Sequence, residues 1–248
     1  MATPSLLLLL ADGRFPAGAH AHSGGLEAAV AAGRVTDLAS LEAFLAGRLA
    51  TAGLVGAAFA AAAHRAAVPE TVGSAHPARS AARSDVPARS AARSGVLARL
   101  DAELDARTAA PALRVVSRRQ GRALLRAGRT IWPDAPFADL PATPGGAHQP
   151  LVLGLLCAAA GLSRVETATI SAYGTVTGAA SAGVRLLGLD PYQVQALLVG
   201  LADACDGTAA DAARAADDPP ERLPAAAAPL ADIHAEIHAT WEVRLFAS

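Results

Sequence analysis

Residues 163–187 read SRVETATISAYGTVTGAASAGVRLL and carry a clear helix signal. Ser163 and Glu166 have the spacing of a capping box, in which each side chain accepts a hydrogen bond from the backbone amide of the other residue. Apolar and small residues then continue without a proline. The segment therefore predicts a long helix that reaches about Leu187.

The same start signals appear on both sides of this segment. Downstream, Asp190 followed by Pro191 predicts a helix cap and a first helical position. Upstream, Asp37 precedes a stretch in which apolar residues recur every three or four positions, which predicts a helix to about His64. Further predicted helices begin at Ser23, cover residues 96–107, 112–129 and 151–160, and end with a C-terminal helix near Phe246.

The composition also favours helices. Ala and Leu, which are good helix formers, dominate an apolar fraction of 52%, whereas aromatic residues make up 4%. Segments rich in β-branched and aromatic residues, which are typical of strands, do not stand out. We predict an all-α fold, a single-domain helical bundle over residues 1–248, with a proline-rich hinge and the C-terminal helix and tail in residues 219–248.

Residues 69–96 differ in kind from their surroundings. Residues 77–86 read PARSAARSDV and residues 87–96 read PARSAARSGV, an almost perfect tandem duplication. The segment has few apolar residues to bury, so we predict a disordered, basic loop insert. An arm that binds nucleic acid is the alternative, and it would use the arginines of the two copies, Arg79, Arg83, Arg89 and Arg93.

The charged residues exclude several functions. All 21 basic residues are Arg, so the chain has no lysine for a Walker A phosphate loop, a Schiff base or a serine–lysine pair. The formal net charge is −1, which gives no overall attraction to nucleic acid or an anionic membrane. Cys157 and Cys205 are far apart and fit two buried, reduced thiols. We expect a cytoplasmic protein without a membrane span.

Two histidine pairs are candidate metal ligands. His20 and His22 offer two imidazoles near the N-terminus, but a metal site usually needs three or four ligands. His234 and His238 stand four residues apart on one helix face, as in a zinc protease. Glu236 does not directly follow the first histidine, however, as the base of that motif does. We predict no metal, cofactor or catalytic residues, and we keep a helical metal enzyme using His234 and His238 as an alternative.

Gly174, Gly178 and Gly183 lie inside the predicted helix 163–187. Each costs about 1 kcal/mol relative to Ala in a helix interior. Their presence indicates close packing, and the sequence leaves two possibilities open: the core of the same chain, or the surface of a second subunit or partner.

Four segments together resemble one known family. Residues 9–27 read LLADGRFPAGAHAHSGGLE, residues 117–124 read SRRQGRAL, residues 148–150 read HQP, and residues 238–248 read HATWEVRLFAS. Their order and spacing are similar to those of the UreF family of urease accessory proteins, in an actinobacterial form. The resemblance covers nearly the whole chain apart from the duplicated insert. Ile237, Ala239 and Ala247 depart from it, because they replace polar residues of the family's tail.

The resemblance implies an adaptor rather than an enzyme. UreF-like proteins are all-α dimers that bind a UreD/UreH-type accessory protein on one side and the UreG-type GTPase on the other. The assembly delivers nickel to apo-urease in a GTP-dependent step. By this resemblance, the predicted partner-binding residues lie in the N-terminal motif and in the tail: Arg14, His22, Ser23, Glu27, His238, Arg244, Phe246 and Ser248.

Overall fold

The structure, a computed structural model, describes residues 4–16, 21–68 and 86–246. Within these ranges the regular structure is helical and no strand occurs, which confirms the all-α prediction. The α-helices are α1 (Pro4–Ala11), α2 (Leu26–Ala31), α3 (Leu38–Arg48), α4 (Leu54–Ala67), α5 (Val86–Arg107), α6 (Pro111–Ile131), α7 (Gln149–Ala159), α8 (Arg164–Leu187), α9 (Pro191–Gly200), α10 (Ala202–Ala215) and α11 (Pro229–Ala239).

The predicted caps of α8 and α9 are present. Ser163 Oγ accepts from the amide of Glu166 at 3.2 Å, and the Glu166 carboxylate accepts from the amide of Ser163 at 2.6 Å. Gly188 ends α8 in a left-handed conformation with φ +64°, which a residue with a side chain rarely adopts. Asp190 caps α9 by accepting from the Tyr192 amide at 2.9 Å.

Helices α3 and α4 form one long rod. Asp37 caps α3 in a capping box with Ser40, and a π turn, Leu49–Gly53, joins α3 to α4. Among the described residues, this stretch, Leu38–Ala67, is long and apolar enough to cross a membrane by length and composition alone. The core helix of a folded domain passes the same test, and α4 is such a helix, since most of its residues are buried.

The contact between α4 and α7 forms the centre of the fold. Ala57 and Phe59 of α4 and Leu155 of α7 are completely buried. A Cβ atom on Gly154 would lie 2.3 Å from the carbonyl oxygen of Ala60, so only glycine permits the observed distance between the two helices. Small residues on both helices therefore determine how closely the central layers pack.

The buried apolar residues form two clusters. The body core joins α4, α7, the first half of α8 and α10 with the inner faces of α5 and α6. The end cluster joins α2, α3, the second half of α8, α9 and the start of α10, and it includes Phe246 from the C-terminal segment. The long helix α8 runs through both clusters and connects them.

Both cysteines are free and buried, as the sequence predicts. Burial raises the pKa of the Cys157 thiol to about 12, and burial also raises the pKa of Cys205. At neutral pH both side chains are therefore protonated and behave as small apolar groups.

Two predicted segments differ from the structure. The second copy of the duplication is the first half of α5, which begins at Val86, so the prediction of a disordered loop was wrong for residues 86–96. Ser90 Oγ and the Arg93 guanidinium both bond the buried carboxylate of Asp139, and these contacts hold that half of the helix against the body. The first copy, apart from its last residue Val86, lies outside the described residues. The last helix ends at Ala239 rather than near Phe246, and residues 240–246, the tail, are not helical.

Candidate functional site

Glu27, on the short helix α2, joins the two ends of the chain. Its carboxylate accepts three hydrogen bonds, from His238 Nε2 at 2.9 Å, from the Leu245 amide at 2.8 Å and from the Phe246 amide at 3.0 Å. Glu27 is 8% exposed and His238 is 3% exposed. The N-terminal motif and the tail, predicted separately from the sequence, thus form a single site.

The tail turns back onto the end cluster after His238. The rings of His238 and Trp241 are 4.8 Å apart and tilted by 56°. Phe246 is buried, and the guanidinium carbon of Arg185 on α8 lies 5.2 Å from the centre of its ring, a cation–π contact. The tail is therefore held at both of its ends, by His238 and by Phe246.

The Glu27 carboxylate is stabilised in its ionised form. Burial, the largest single influence, would raise the pKa of Glu27, but the hydrogen bonds from Leu245, His238 and Phe246 together lower it below its ordinary value. The carboxylate is therefore charged at neutral pH, and its three bonds are of the stronger, charge-assisted kind.

The other predicted residues of the N-terminal motif lie close to this site or along one groove. Ser23 is completely buried, and its Oγ accepts from the amide of Glu27 at 3.3 Å. Arg14 is highly exposed and pairs with Asp12 at 2.9 Å. Arg14, half-buried His22 and Phe246 line the same open groove, whose volume is about 1480 Å³.

The groove is positively charged. Arg34, Arg48 and Arg185 line it, and within the described part of the chain none of the three forms an ion pair with a carboxylate. Burial lowers the pKa of Arg48 to about 10, and its Nε is buried without a hydrogen-bond partner in the same part of the chain. Such a surface favours acidic groups on a binding partner.

The structure thus unites four of the predicted residues, Ser23, Glu27, His238 and Phe246, in one buried site. Arg244 is exposed on the tail. His20 and Ser248 lie outside the described residues.

An apolar surface on α11 and the tail was missed by the sequence reasoning. Val243 is 85% exposed and Leu245 is 73% exposed, although both are large apolar residues. Three further exposed apolar residues follow one face of α11: Leu230, Ile233 and Ile237. Their spacing of three and four positions is visible in the sequence, but such a stripe ordinarily indicates a buried face, so sequence alone could not show that it is exposed.

A second polar cluster lies in the body and joins two further motifs. The ring of His148 is completely buried, with Nδ1 2.9 Å from Ser117 Oγ and Nε2 2.8 Å from a carboxylate oxygen of Asp105. Arg118 pairs with Asp101 at 3.0 Å and with Asp105 at 2.8 Å. Helices α5 and α6 and the start of α7 are thereby tied together.

This cluster has the residue types of a hydrolase triad, but the ring of His148 has the opposite orientation. Nδ1 faces Ser117 and Nε2 faces Asp105, whereas in the serine protease triad Nε2 faces the serine. The ring is completely buried, and its two contacts join α5 to α6. Ser117 Oγ also accepts from the Gln149 amide at 3.3 Å, at the first turn of α7. Burial lowers the pKa of His148, and the bond to Asp105 offsets part of this effect, so the ring is neutral at pH 7.

The helix with His234 and His238 does not form a metal site in the structure. His238 bonds Glu27, and Glu236 accepts from the amide of Ala112 at 2.8 Å, so it caps α6. Among the residues that the structure describes, no three His, Cys, Asp or Glu side chains come together to hold a metal ion. For the basic arm, Arg93 is paired with Asp139, and Arg79 and Arg83 lie outside the described ranges.

The three glycines of α8 fall into two groups. A Cβ atom on Gly183 would lie 2.9 Å from the side chain of Leu41, so this glycine allows close packing within the end cluster. Gly174 and Gly178 have open space where a Cβ atom would be, and they lie on the groove surface. Packing within the chain therefore explains Gly183 but not the other two.

The fold and the site together define a class of protein. It is an all-α protein in which the N-terminal motif and the C-terminal tail meet at the buried carboxylate of Glu27. Comparison with known proteins gives the family. The UreF family model matches residues 35–202, which is more than half of the chain. The chain therefore belongs to the UreF family, which confirms the resemblance seen in the motifs.

Full-length relatives extend the match to both chain ends. The chain is 41% identical over 248 residues to the urease accessory protein UreF of Mycolicibacterium vanbaalenii and 42% identical over 248 residues to that of Mycobacterium sp. strain JLS, covering all of each chain. The urease accessory protein UreF of Mycobacterium tuberculosis strain H37Rv is 42% identical over 212 residues, 86% of each chain. The full-length matches include Glu27 and the tail, which lie outside the family model.

Proposed function

We propose that this chain is a urease maturation adaptor without catalytic activity of its own. It binds a UreD/UreH-type accessory protein and the UreG-type GTPase, and the assembly inserts nickel into apo-urease in a GTP-dependent step. The proposal includes homodimer formation and a cytoplasmic location.

The observation that carries this proposal is the 41% identity over all 248 residues to a protein named for urease maturation. A match of this length includes the surface as well as the core, so the parts that contact partners are included. The absence of lysine fits a chain that leaves nucleotide binding to a partner.

The surface of α11 and the tail supports the adaptor role. Val243 and Leu245 on the tail are exposed apolar residues like those on α11, and Arg244 lies between them in the sequence. Arginine is enriched among the residues that dominate binding energy at protein interfaces, and the burial of exposed apolar side chains favours association. We assign this surface to a protein partner. The open face around Gly174 and Gly178 offers a place where a second copy packs closely.

Co-purification tests the proposal. The full chain is produced together with the UreD/UreH-type and UreG-type proteins of its own organism, and the mixture is analysed by size-exclusion chromatography with mass determination. We expect a defined complex that contains two copies of this chain. A chain that elutes alone in the presence of both partners would refute the adaptor function.

Substitutions in the tail test the assigned surface. Replacing Val243 by Ser and Arg244 by Ala together removes an exposed apolar group and a charge, so we expect complex formation and urease activation to fall at least tenfold while the helical content is retained. The matched control is Val165→Ser, which changes an exposed valine on α8. Equal urease activation by the tail variant and the control would show that the tail residues Val243 and Arg244 do not contact a partner.

A further inference from the structure

The tail owes its backbone position to one carboxylate. Leu245 and Phe246 lie outside any helix, and the amides of both donate to Glu27. The third donor, His238, ends the helix from which the tail departs. These donors stand 211, 218 and 219 residues from Glu27 in the chain, so nothing local in the sequence fixes the tail.

The dependence is mutual. A buried carboxylate is stable only when its lost hydration is replaced by hydrogen bonds. All three bonds to the Glu27 carboxylate come from the last helix and the tail. Detachment of the tail would leave the buried carboxylate without the two amides, and removal of the carboxylate would leave the amides without their acceptor.

We propose that Glu27 is a positioning residue, which fixes the conformation of the tail and does not itself contact a partner. Because Glu27 holds the amides of Leu245 and Phe246 and the ring of Phe246 is buried, the side chains of Val243, Arg244 and Leu245 turn outward. The carboxylate thereby presents the tail's exposed residues in one fixed arrangement. Glu27 was predicted as a partner contact, and this proposal gives it an indirect role.

The positioning role stands on contacts within the chain, and only its effect on urease activation rests on the proposed function. The Glu27 side chain is 8% exposed and its carboxylate is occupied, so it offers a partner little surface. Ser23 supports the same arrangement, since its hydroxyl bonds the Glu27 amide at the start of α2.

Hydrogen exchange measures the contact directly. Amide exchange is followed by mass spectrometry in full-length wild-type protein and in the variants Glu27→Ala and Glu27→Gln. We expect exchange in peptides that contain residues 242–246 to accelerate at least tenfold in Glu27→Ala, while peptides from α4 and α7 stay unchanged. Glu27→Gln keeps one acceptor oxygen and places an amide donor against another N–H, so its exchange rate should be intermediate.

The matched control is Asp139→Asn. Asp139 is a buried carboxylate that bonds Ser90 and Arg93 of α5 and has no contact with the tail. This variant should leave exchange in the tail unchanged, which separates the specific effect of Glu27 from a general loss of stability. Equal tail protection in Glu27→Ala and wild type would overturn the proposal.

Urease activation separates the positioning role from the proposed function. We expect Glu27→Ala to lower activation as much as deletion of residues 243–248, with Glu27→Gln between it and wild type. If tail amides exchange faster in Glu27→Ala but urease activation remains normal, the positioning role is supported and the proposed role of the tail in partner binding is refuted. If activation is lost while the tail remains protected, Glu27 acts by direct contact and the positioning role is refuted.

Discussion

The body core and the end cluster are both apolar, but they are completed in different ways. In the body, most of the buried residues lie on long helices, and the buried ring of His148 is bonded on both sides by α5 and α6. In the end cluster, the last layer is Phe246, which belongs to a short non-helical tail held through Glu27. The body core is therefore completed mainly by helices, whereas the end cluster depends on hydrogen bonds between the Glu27 carboxylate and two backbone amides of the tail.

This difference predicts that the two regions open with different free energies. We expect the body core to open only with the whole fold, because most of its buried residues lie on long helices that pack against one another. Detachment of the tail would break a few hydrogen bonds and expose the ring of Phe246 to water. Such local opening needs far less free energy than global unfolding. The tail can therefore change its conformation while the body stays folded.

The largest expected contrast between the regions comes from two glycines inside helices. Gly154→Ala, in α7, would place a Cβ atom 2.3 Å from the carbonyl oxygen of Ala60. Helices α4 and α7 would have to separate, so we expect the free energy of unfolding to fall by about 2–3 kcal/mol, as overpacked cores do. Urea denaturation followed by circular dichroism measures this change.

The same substitution at the groove should have the opposite sign. Gly174→Ala, in α8, meets open space, so the better helix propensity of Ala should stabilise the isolated chain by up to about 1 kcal/mol. Destabilisation by both substitutions to the same extent would show that the groove face is packed as tightly as the body.

Two of the buried histidines, His148 in the body and His238 beside the tail, give a smaller contrast. His148→Ala removes one hydrogen bond each from Asp105 and Ser117 and leaves a cavity where a completely buried ring stood, so we expect a loss of about 2 kcal/mol in the free energy of unfolding. His238→Ala removes one of the three bonds to Glu27. Because the tail can then open locally while the body stays folded, we expect the free energy of global unfolding to fall by at most about 1 kcal/mol.

Denaturation and hydrogen exchange together sharpen this comparison. His238→Ala should accelerate exchange in residues 242–246, whereas His148→Ala should leave the tail's exchange relative to global unfolding unchanged. Equal losses of global stability from the two substitutions would mean that the tail is as much a part of the cooperative core as α6 is.

The sequence predicts the local features of this fold well. The cap at Asp37, the capping box at Ser163 and the cap at Asp190 were predicted correctly, because neighbouring residues determine each of them. The burial of both cysteines was also predicted correctly. The first half of α5 was not predicted. Its sequence has few apolar residues, and the contacts of Ser90 and Arg93 with Asp139 span more than forty positions.

The site shows the same limit more strongly. Motifs identified the residues Glu27, His238 and Phe246, but the family resemblance implied a separate partner contact for each of them. The tail is joined to Glu27 by its backbone amides. Every residue except proline has such an amide, so the sequence does not show which amides bond Glu27. The pairing of Ser117 with His148 was likewise hidden, although both residues belong to motifs that were recognised.

The smallest contrast concerns pH, and it affects the body rather than the tail. Burial lowers the pKa of His64, although its hydrogen bond to the carbonyl oxygen of Leu162 at 2.7 Å raises it in part, and burial likewise lowers the pKa of His148. In the unfolded chain both imidazoles take up a proton near the ordinary pKa of 6.5, whereas in the folded chain they do so only at lower pH. Below pH 6.5 the unfolded state therefore binds more protons, and the free energy of unfolding falls as the pH falls.

Urea denaturation at pH 7.5 and pH 5.5 measures this loss of stability, and His64→Gln provides the control, because Gln can still donate to Leu162 but does not titrate. We expect the variant to lose less stability than wild type between the two pH values. The pKa of Glu27 lies below its ordinary value of 4.5, so its carboxylate stays ionised throughout this range and continues to accept the tail amides. Tail protection that persists at pH 5.5 while global stability declines would show that the two regions respond independently to protons. Loss of tail protection at pH 5.5 without a loss of global stability would contradict this prediction. It would mean that the groups that respond to pH lie in the end cluster.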